Sequence, residues 1–127
     1  MKANQLKTLM IVQVLSIVVV SLLFKFVTPP KLAALFASAI FITFGFVAFF
    51  VTRNLAPLKK NILVWLILVH IFVVSIPMIL VRLLNWNAEF ATLTIWSLPA
   101  PLFHSLSSGL YLLIFVAFVF HYWQLRK

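Results

Sequence analysis

Apolar residues in this chain do not alternate with polar ones. They run in long blocks, and the charged residues stand at or near the edges of those blocks. Four blocks cover about residues 8–27, 32–52, 61–82 and 102–123. A hydrocarbon layer about 30 Å thick needs roughly 20 apolar residues per helix, so each block is long enough to cross it once. The pattern predicts an all-α fold: an integral membrane four-helix bundle, antiparallel, forming one transmembrane domain over residues 1–127. The third span, NILVWLILVHIFVVSIPMILVR, organises the rest, because it places a titratable side chain, His70, near the middle of an apolar run.

The breaks between blocks are as informative as the blocks. Pro29 and Pro30 end span one, since neither can donate a backbone hydrogen bond, and a tight hairpin to span two is expected. The stretch RNLAPLKK, Arg53 to Lys60, reads as a short polar loop. In span three, Pro77 removes the hydrogen bond to the Val73 carbonyl and predicts a kink, tolerable if a neighbouring group satisfies that carbonyl. The only long connection is the external loop 83–101. Asn85 or Asn87 is expected to cap a short interfacial helix there, with Glu89 in its first turn. Trp86, Phe90 and Leu93 would share one face of that helix, and Trp96 would join them in the aromatic belt. A gate or partner-binding lid is the sharper reading of the same loop. Pro101 suits the first turn of span four.

Composition agrees with the pattern: 65% of residues are hydrophobic, 9% are charged and the mean hydropathy is +1.22. A soluble fold is excluded at this stage. Ten Lys and Arg face a single acid, Glu89, but the cations sit at span ends, where they set topology rather than bind a phosphate backbone, so nucleic acid is not an expected partner. Lys2, Lys7, Arg53, Lys59, Lys60, Arg126 and Lys127 fall on one side, against Lys25, Lys31 and Arg82 on the other. The positive-inside rule then places the N- and C-termini in the cytoplasm and the Trp86 loop outside. The basic start followed by an apolar run looks superficially like a secretory signal. The run is longer than a typical signal core and no small-residue cleavage site follows before Lys25, so it is expected to be a retained span. The expected location is a cell membrane, of the bacterial inner-membrane kind. With no cysteine, disulfides and thiolate metal sites are impossible.

Candidate chemistry is confined to polar residues at depth. Counting about 1.5 Å per residue from each span end brings Ser16, Thr43, His70 and Tyr111 to the bilayer midplane, one from each helix, with Gln13 about a turn further toward the cytoplasm. Facing inward, they would make one polar layer. Buried ionisable groups in membranes are functional candidates by default, although a neutral imidazole bonded to Tyr111, Ser16 or a backbone carbonyl also serves as packing. A second stripe, His104, Ser105 and Ser108, flanked by Ser107 and Gly109, leads from the outer surface toward Tyr111; its hydroxyls could line a path or act as interhelical glue. The small residues Ala34, Ser38, Gly45 and Ala48, continued by Thr52, fall on one stripe of span two and mark a helix-packing face, within the chain or between copies. His104 and His121 are about 25 Å apart by helical rise, so no metal site is expected. No nucleophile has both a base and an orienting group, so no catalytic residue, cofactor or enzymatic activity is expected.

In size and span number the chain is similar to the small multidrug-resistance transporters, but the glutamate those carry in the first span is absent, and only Gln13 stands there. The stretch LMIVQVLSIVVVSLLF is similar to the first span of ATP synthase subunit I proteins. That likeness covers about one span, and the glycine-rich second span and the charged third-span residues of that family are missing. Neither resemblance assigns the chain. What remains is an expected accessory or assembly subunit, packing against other membrane helices through span two. The lipid bilayer and a membrane-protein partner or a second copy would then be its surroundings. The alternative is a homo-oligomeric small transporter or channel using the midplane His, Tyr and Ser residues.

Overall fold

A computed structural model describes residues 3–54 and 60–126. The chain is mostly helical, with four helices long and apolar enough to cross a membrane. They are α1 (Ala3–Phe26), α2 (Pro30–Thr52), a third that runs Ile62–Leu84 in three parts, and α5 (Ala100–Arg126). The parts of the third are α3 (Ile62–Val69), a π-helical turn (His70–Ser75) and α4 (Ile76–Leu84). Four such helices fit a multi-pass membrane protein. Most of the expected Arg53 to Lys60 loop, residues 55–59, lies outside the described residues, as do Met1, Lys2 and Lys127.

Local chemistry sets the helix ends. Pro29 is extended and Pro30 takes the first helical position of α2, where its missing N–H would have no intrahelical partner anyway. The Thr28–Pro29 peptide is cis. At the start of α3, the fully buried Asn61 accepts from the Val64 amide at 3.2 Å while its Nδ2 donates to the Thr52 carbonyl at 3.0 Å. One side chain thus caps the incoming helix and satisfies an orphan carbonyl of the outgoing one.

The core divides in two. Around the Asn61 end, Leu6 and Leu9 of α1, Phe44 and Ala48 of α2, Leu63 and Ile67 of α3, and Ile114 and Phe118 of α5 form one buried cluster. The expected packing face of α2 is used here and along the whole helix: Ala34, Ser38, Gly45, Ala48 and Thr52 are all buried within the chain. A Cβ on Gly45 would stand 2.6 Å from Ile71 Cγ1, so glycine is what lets the π turn approach α2.

At the other end the connection between α4 and α5 departs from the expectation. No interfacial helix caps at Asn85 or Asn87; Glu89 precedes a single 3-10 turn, Phe90–Thr92, without a side-chain cap. A two-stranded hairpin follows, β1 (Thr94–Ile95) and β2 (Leu98–Pro99), with Ile95 opposite Leu98. Its turn residues, Trp96 and Ser97, both have positive φ, 53° and 65°. That is the two-residue turn whose twist suits a hairpin, normally built from Asn-Gly; with no glycine here, each residue carries roughly 1 kcal/mol or more of strain. Two contacts offset it. Ile95 is buried against Val74, Met78, Ala100 and Phe103, and Trp96 Nε1 donates to the Val73 carbonyl at 2.9 Å. Val73 is the residue whose carbonyl Pro77 leaves without a helical partner. The indole thus satisfies the orphan that the sequence predicts, and the helix accommodates Pro77 through the preceding π turn, where the Ile76 amide bonds Ile71.

Candidate functional site

Three of the four expected midplane residues meet. The Tyr111 hydroxyl and Ser16 Oγ are 2.8 Å apart, and Ser16 Oγ lies 2.6 Å from the Gln13 carbonyl. A carbonyl can only accept, so the serine proton goes to Gln13 and the tyrosine hydroxyl donates to Ser16. The His70 ring leans on the Tyr111 ring at a centroid distance of 5.1 Å. Its Nδ1 pairs at 3.3 Å with Ser75 Oγ, across the π turn, rather than with Tyr111 or Ser16. Thr43 does not join them. It is exposed, bonds back to the Ala39 carbonyl and lies on a shallow outer groove with Val12, Val47 and the far side of Ser16. The reason is angular: Phe44, one residue on, takes the inward position against Tyr111 and Phe118, and neighbours on a helix diverge by about 100°.

Gln13, about a turn away along α1, bonds into the layer through its side chain. It is fully buried, and its Nε2 donates 2.8 Å to the Tyr111 backbone carbonyl. That bond fixes the orientation of the amide and leaves Oε1 buried without a hydrogen-bond partner among the described residues.

Gln13, His70 and Tyr111 of this layer form the floor of a cavity of about 670 Å³ that extends toward the hairpin end, whereas Ser16 faces the shallow groove of Thr43. Each helix contributes a wall. Val14, Ile17, Ser21 and Phe24 come from α1; Ala34, Ala37, Ser38 and Phe41 from α2; His70, Ser75, Met78 and Arg82 from the third helix; His104, Ser107, Ser108 and Leu112 from α5. The α1 and α5 residues Ile17, Ser21, Phe24, Ser108 and Leu112 are exposed as well as cavity-lining, so the cavity opens sideways between those two helices. The volume falls within the range of about 300–1,000 Å³ typical of ligand sites.

Of the expected polar stripe, His104 and Ser108 reach the cavity, with Ser108 Oγ bonded back to the His104 carbonyl at 3.1 Å. Ser105 does not; it is exposed and bonds the Pro101 carbonyl. Ser107 takes its place on the wall. Two further residues line the cavity: Ser38, on the expected packing face, and Arg82, expected only as a topological charge at a span end. Arg82 is half-buried at the mouth of the cavity, its guanidinium 4.0 Å from the centroid of the Phe90 ring, with Nε buried and unpartnered among the described residues. The usable signal was the lone cation at the end of span three beside a loop rich in aromatics. No group of three or more metal-binding side chains exists among the described residues.

No family model matches this chain, and no curated protein or solved structure is significantly similar to it.

Proposed function

We propose that this protein binds and carries a small amphiphile inside its own bundle, between α1 and α5. The observation that carries this reading is the sideways-open cavity of about 670 Å³, with polar groups on its inner wall, Arg82 at its outer end, and Ile17, Phe24 and Leu112 along its lateral opening. Such a division suits a molecule whose polar part enters the bundle while its apolar part stays in lipid, for which Val14, Ile17, Phe24 and Leu112 offer an apolar rim. One chain suffices for the site. The reading is of a binding and transport body rather than an enzyme: the buried layer holds hydroxyls, an amide and an imidazole but no carboxylate to orient a base.

An accessory or assembly role would rest on a free contact face. The small-residue face of α2 that suggested one packs inside the chain, with Gly45 against Ile71, and this favours the binding reading. The proposed arrangement in the membrane is an antiparallel bundle with both termini cytoplasmic, so that Arg82, Lys25, Lys31 and the hairpin lie at the outer face of a cell membrane, by the positive-inside rule. On that arrangement the cavity occupies the outer half of the bilayer.

The test is extraction in a mild detergent followed by native mass spectrometry. The expected result is one amphiphile per chain, displaced in Ser107→Phe, which fills the cavity wall. A stoichiometric larger protein travelling with the chain, undisturbed by Ser107→Phe, would replace this reading with the accessory one.

A further inference from the structure

We infer that the ligand of this cavity is a lipid with an anionic phosphate headgroup bearing free hydroxyls, its phosphate held by Arg82. The inference rests on the binding reading above and adds the chemistry of the ligand. Its basis is two polar atoms that the fold buries without partners, Arg82 Nε and Gln13 Oε1, both on residues of one cavity wall or floor. Buried polar groups are nearly always paired, and an unpaired one costs free energy, more so when it is charged. Two such groups, on residues that line the same cavity, define what a ligand that reaches them must supply.

Arg82 asks for an anion. It is a permanent cation with donors in a planar fork, which suits phosphate or carboxylate oxygens. Its guanidinium carbon already lies over the Phe90 ring, and the Nε–H donor remains without a partner among the described residues. The chain's one acid, Glu89, is exposed on the adjacent loop and does not partner Nε. Gln13 asks for the opposite. Its Nε2 is committed to the Tyr111 carbonyl, so the remaining atom is an acceptor that needs a hydroxyl or another donor. Between the two by helical register lie Ser75, Ser107 and Ser108; Ser108 donates its proton to the His104 carbonyl and Ser75 pairs with His70 Nδ1, which leaves both oxygens with acceptor capacity toward a ligand. From the His70 layer to Arg82 is twelve residues of helix, about 18 Å of backbone rise that the long Arg82 and Gln13 side chains can shorten, so the phosphate end and the hydroxyl end of a headgroup meet different residues. The sideways opening between α1 and α5 leaves the acyl chains in the bilayer. A soluble phosphate ester shares the headgroup chemistry, but the apolar rim of Ile17, Phe24 and Leu112 favours the lipid.

The experiment uses the full chain in a mild detergent, stripped of lipid, with four probes read by native mass spectrometry and calorimetry. They are dioctanoyl phosphatidylglycerol, dioctanoyl phosphatidic acid, dioctanoylglycerol and glycerol 3-phosphate. The expected result is one phosphatidylglycerol per chain, bound at least about tenfold more tightly than dioctanoylglycerol or glycerol 3-phosphate. Phosphatidic acid, which keeps the phosphate and lacks free hydroxyls, should bind more weakly than phosphatidylglycerol. Arg82→Gln should weaken phosphatidylglycerol by about tenfold or more, with Arg82→Lys intermediate because it keeps charge without the fork. Gln13→Leu should abolish the preference for phosphatidylglycerol over phosphatidic acid. Far-ultraviolet circular dichroism and elution volume identify variants that keep the fold. Glycerol 3-phosphate binding as tightly as phosphatidylglycerol would overturn the lipid assignment in favour of a soluble phosphate ester. Dioctanoylglycerol binding as tightly, with folded Arg82→Gln unaffected, would overturn the anionic headgroup while leaving an amphiphile carrier standing. No binding of any probe would sink both.

Discussion

The two ends of this molecule are built from the same four long helices and differ in how α1 meets the others. Toward the Asn61 end, α1 buries Leu6, Leu9, Gln13 and Ser16, and α5 buries Tyr111, Ile114 and Phe118. Toward the hairpin end, α1 buries nothing beyond Ser16, and α5 buries nothing between Phe103 and Tyr111. Meanwhile α2 stays buried from Ala33 to Thr52. The closed end is a packed core and the open end is a lined cavity. The lesson is physical. In lipid there is little hydrophobic drive to bring helices together, so they close only where shapes fit and polar groups pair. Gly45, Ala48 and the Asn61 cap provide that fit at one end. Serines, histidine and arginine on facing walls do not provide it at the other, and the hairpin packs onto α4 and α5 there without filling the cavity.

The largest expected way to break this contrast is Gly45→Leu. Ile71 Cγ1 already stands where the new Cβ would go, and a β-branched residue on a helix cannot easily swing away. The closed end should lose about 3 kcal/mol, read as a drop in thermal or denaturant resistance in detergent. Phe118→Ala comes next. Because a phenylalanine leaving the core can face lipid without penalty, the void term dominates, about 2 kcal/mol at roughly 24 cal/mol per Å³.

Trp96→Phe removes only the indole donor, which leaves the Val73 carbonyl unsatisfied on the outer, lipid-facing side of its helix. A loss of about 1 kcal/mol is expected, with faster amide hydrogen exchange confined to the π turn and the hairpin. Faster exchange throughout α1 and α2 would contradict the local role assigned to that bond. The smallest effect on stability should be that of Ser107→Phe, within about 0.5 kcal/mol, since it points into space rather than into packing; its effect should fall on ligand occupancy. Thr43→Val provides the matched control on the outer surface and should change neither stability nor occupancy.

Much of the architecture was legible because the bilayer imposes a length that runs of apolar residues reveal directly. The four long apolar runs, the small-residue stripe Ala34, Ser38, Gly45, Ala48 and the orphan carbonyl at Val73 were readable from spacing, but whether that stripe packs within the chain or against a partner was not. Which group would satisfy Val73 was not, since it comes from Trp96 across a hairpin that no turn signal announces: Trp-Ser lacks the glycine or asparagine that such turns normally use. Nor was the fate of Thr43 legible from depth alone. Depth gives a residue's height but not its azimuth, and Phe44 took the inward direction. Arg82 was misread because a cation at a span end has a sufficient explanation in topology, and only the fold shows that its Nε is buried on a cavity wall.

The central claim, that one end is closed and the other an accessible cavity, is tested most directly by thiol labelling, which the absence of native cysteine makes simple. Single-cysteine variants Ser107→Cys, Ser38→Cys and Ala48→Cys would be treated with a small water-soluble thiosulfonate reagent in lipid vesicles. A buried thiol in apolar surroundings is inert, whereas one that water reaches ionises and reacts. The account predicts rapid labelling at positions 107 and 38, slowed by added phosphatidylglycerol, and none at position 48. Equal protection of all three would mean that the open end is packed like the closed one, and the carrier reading would fall with it.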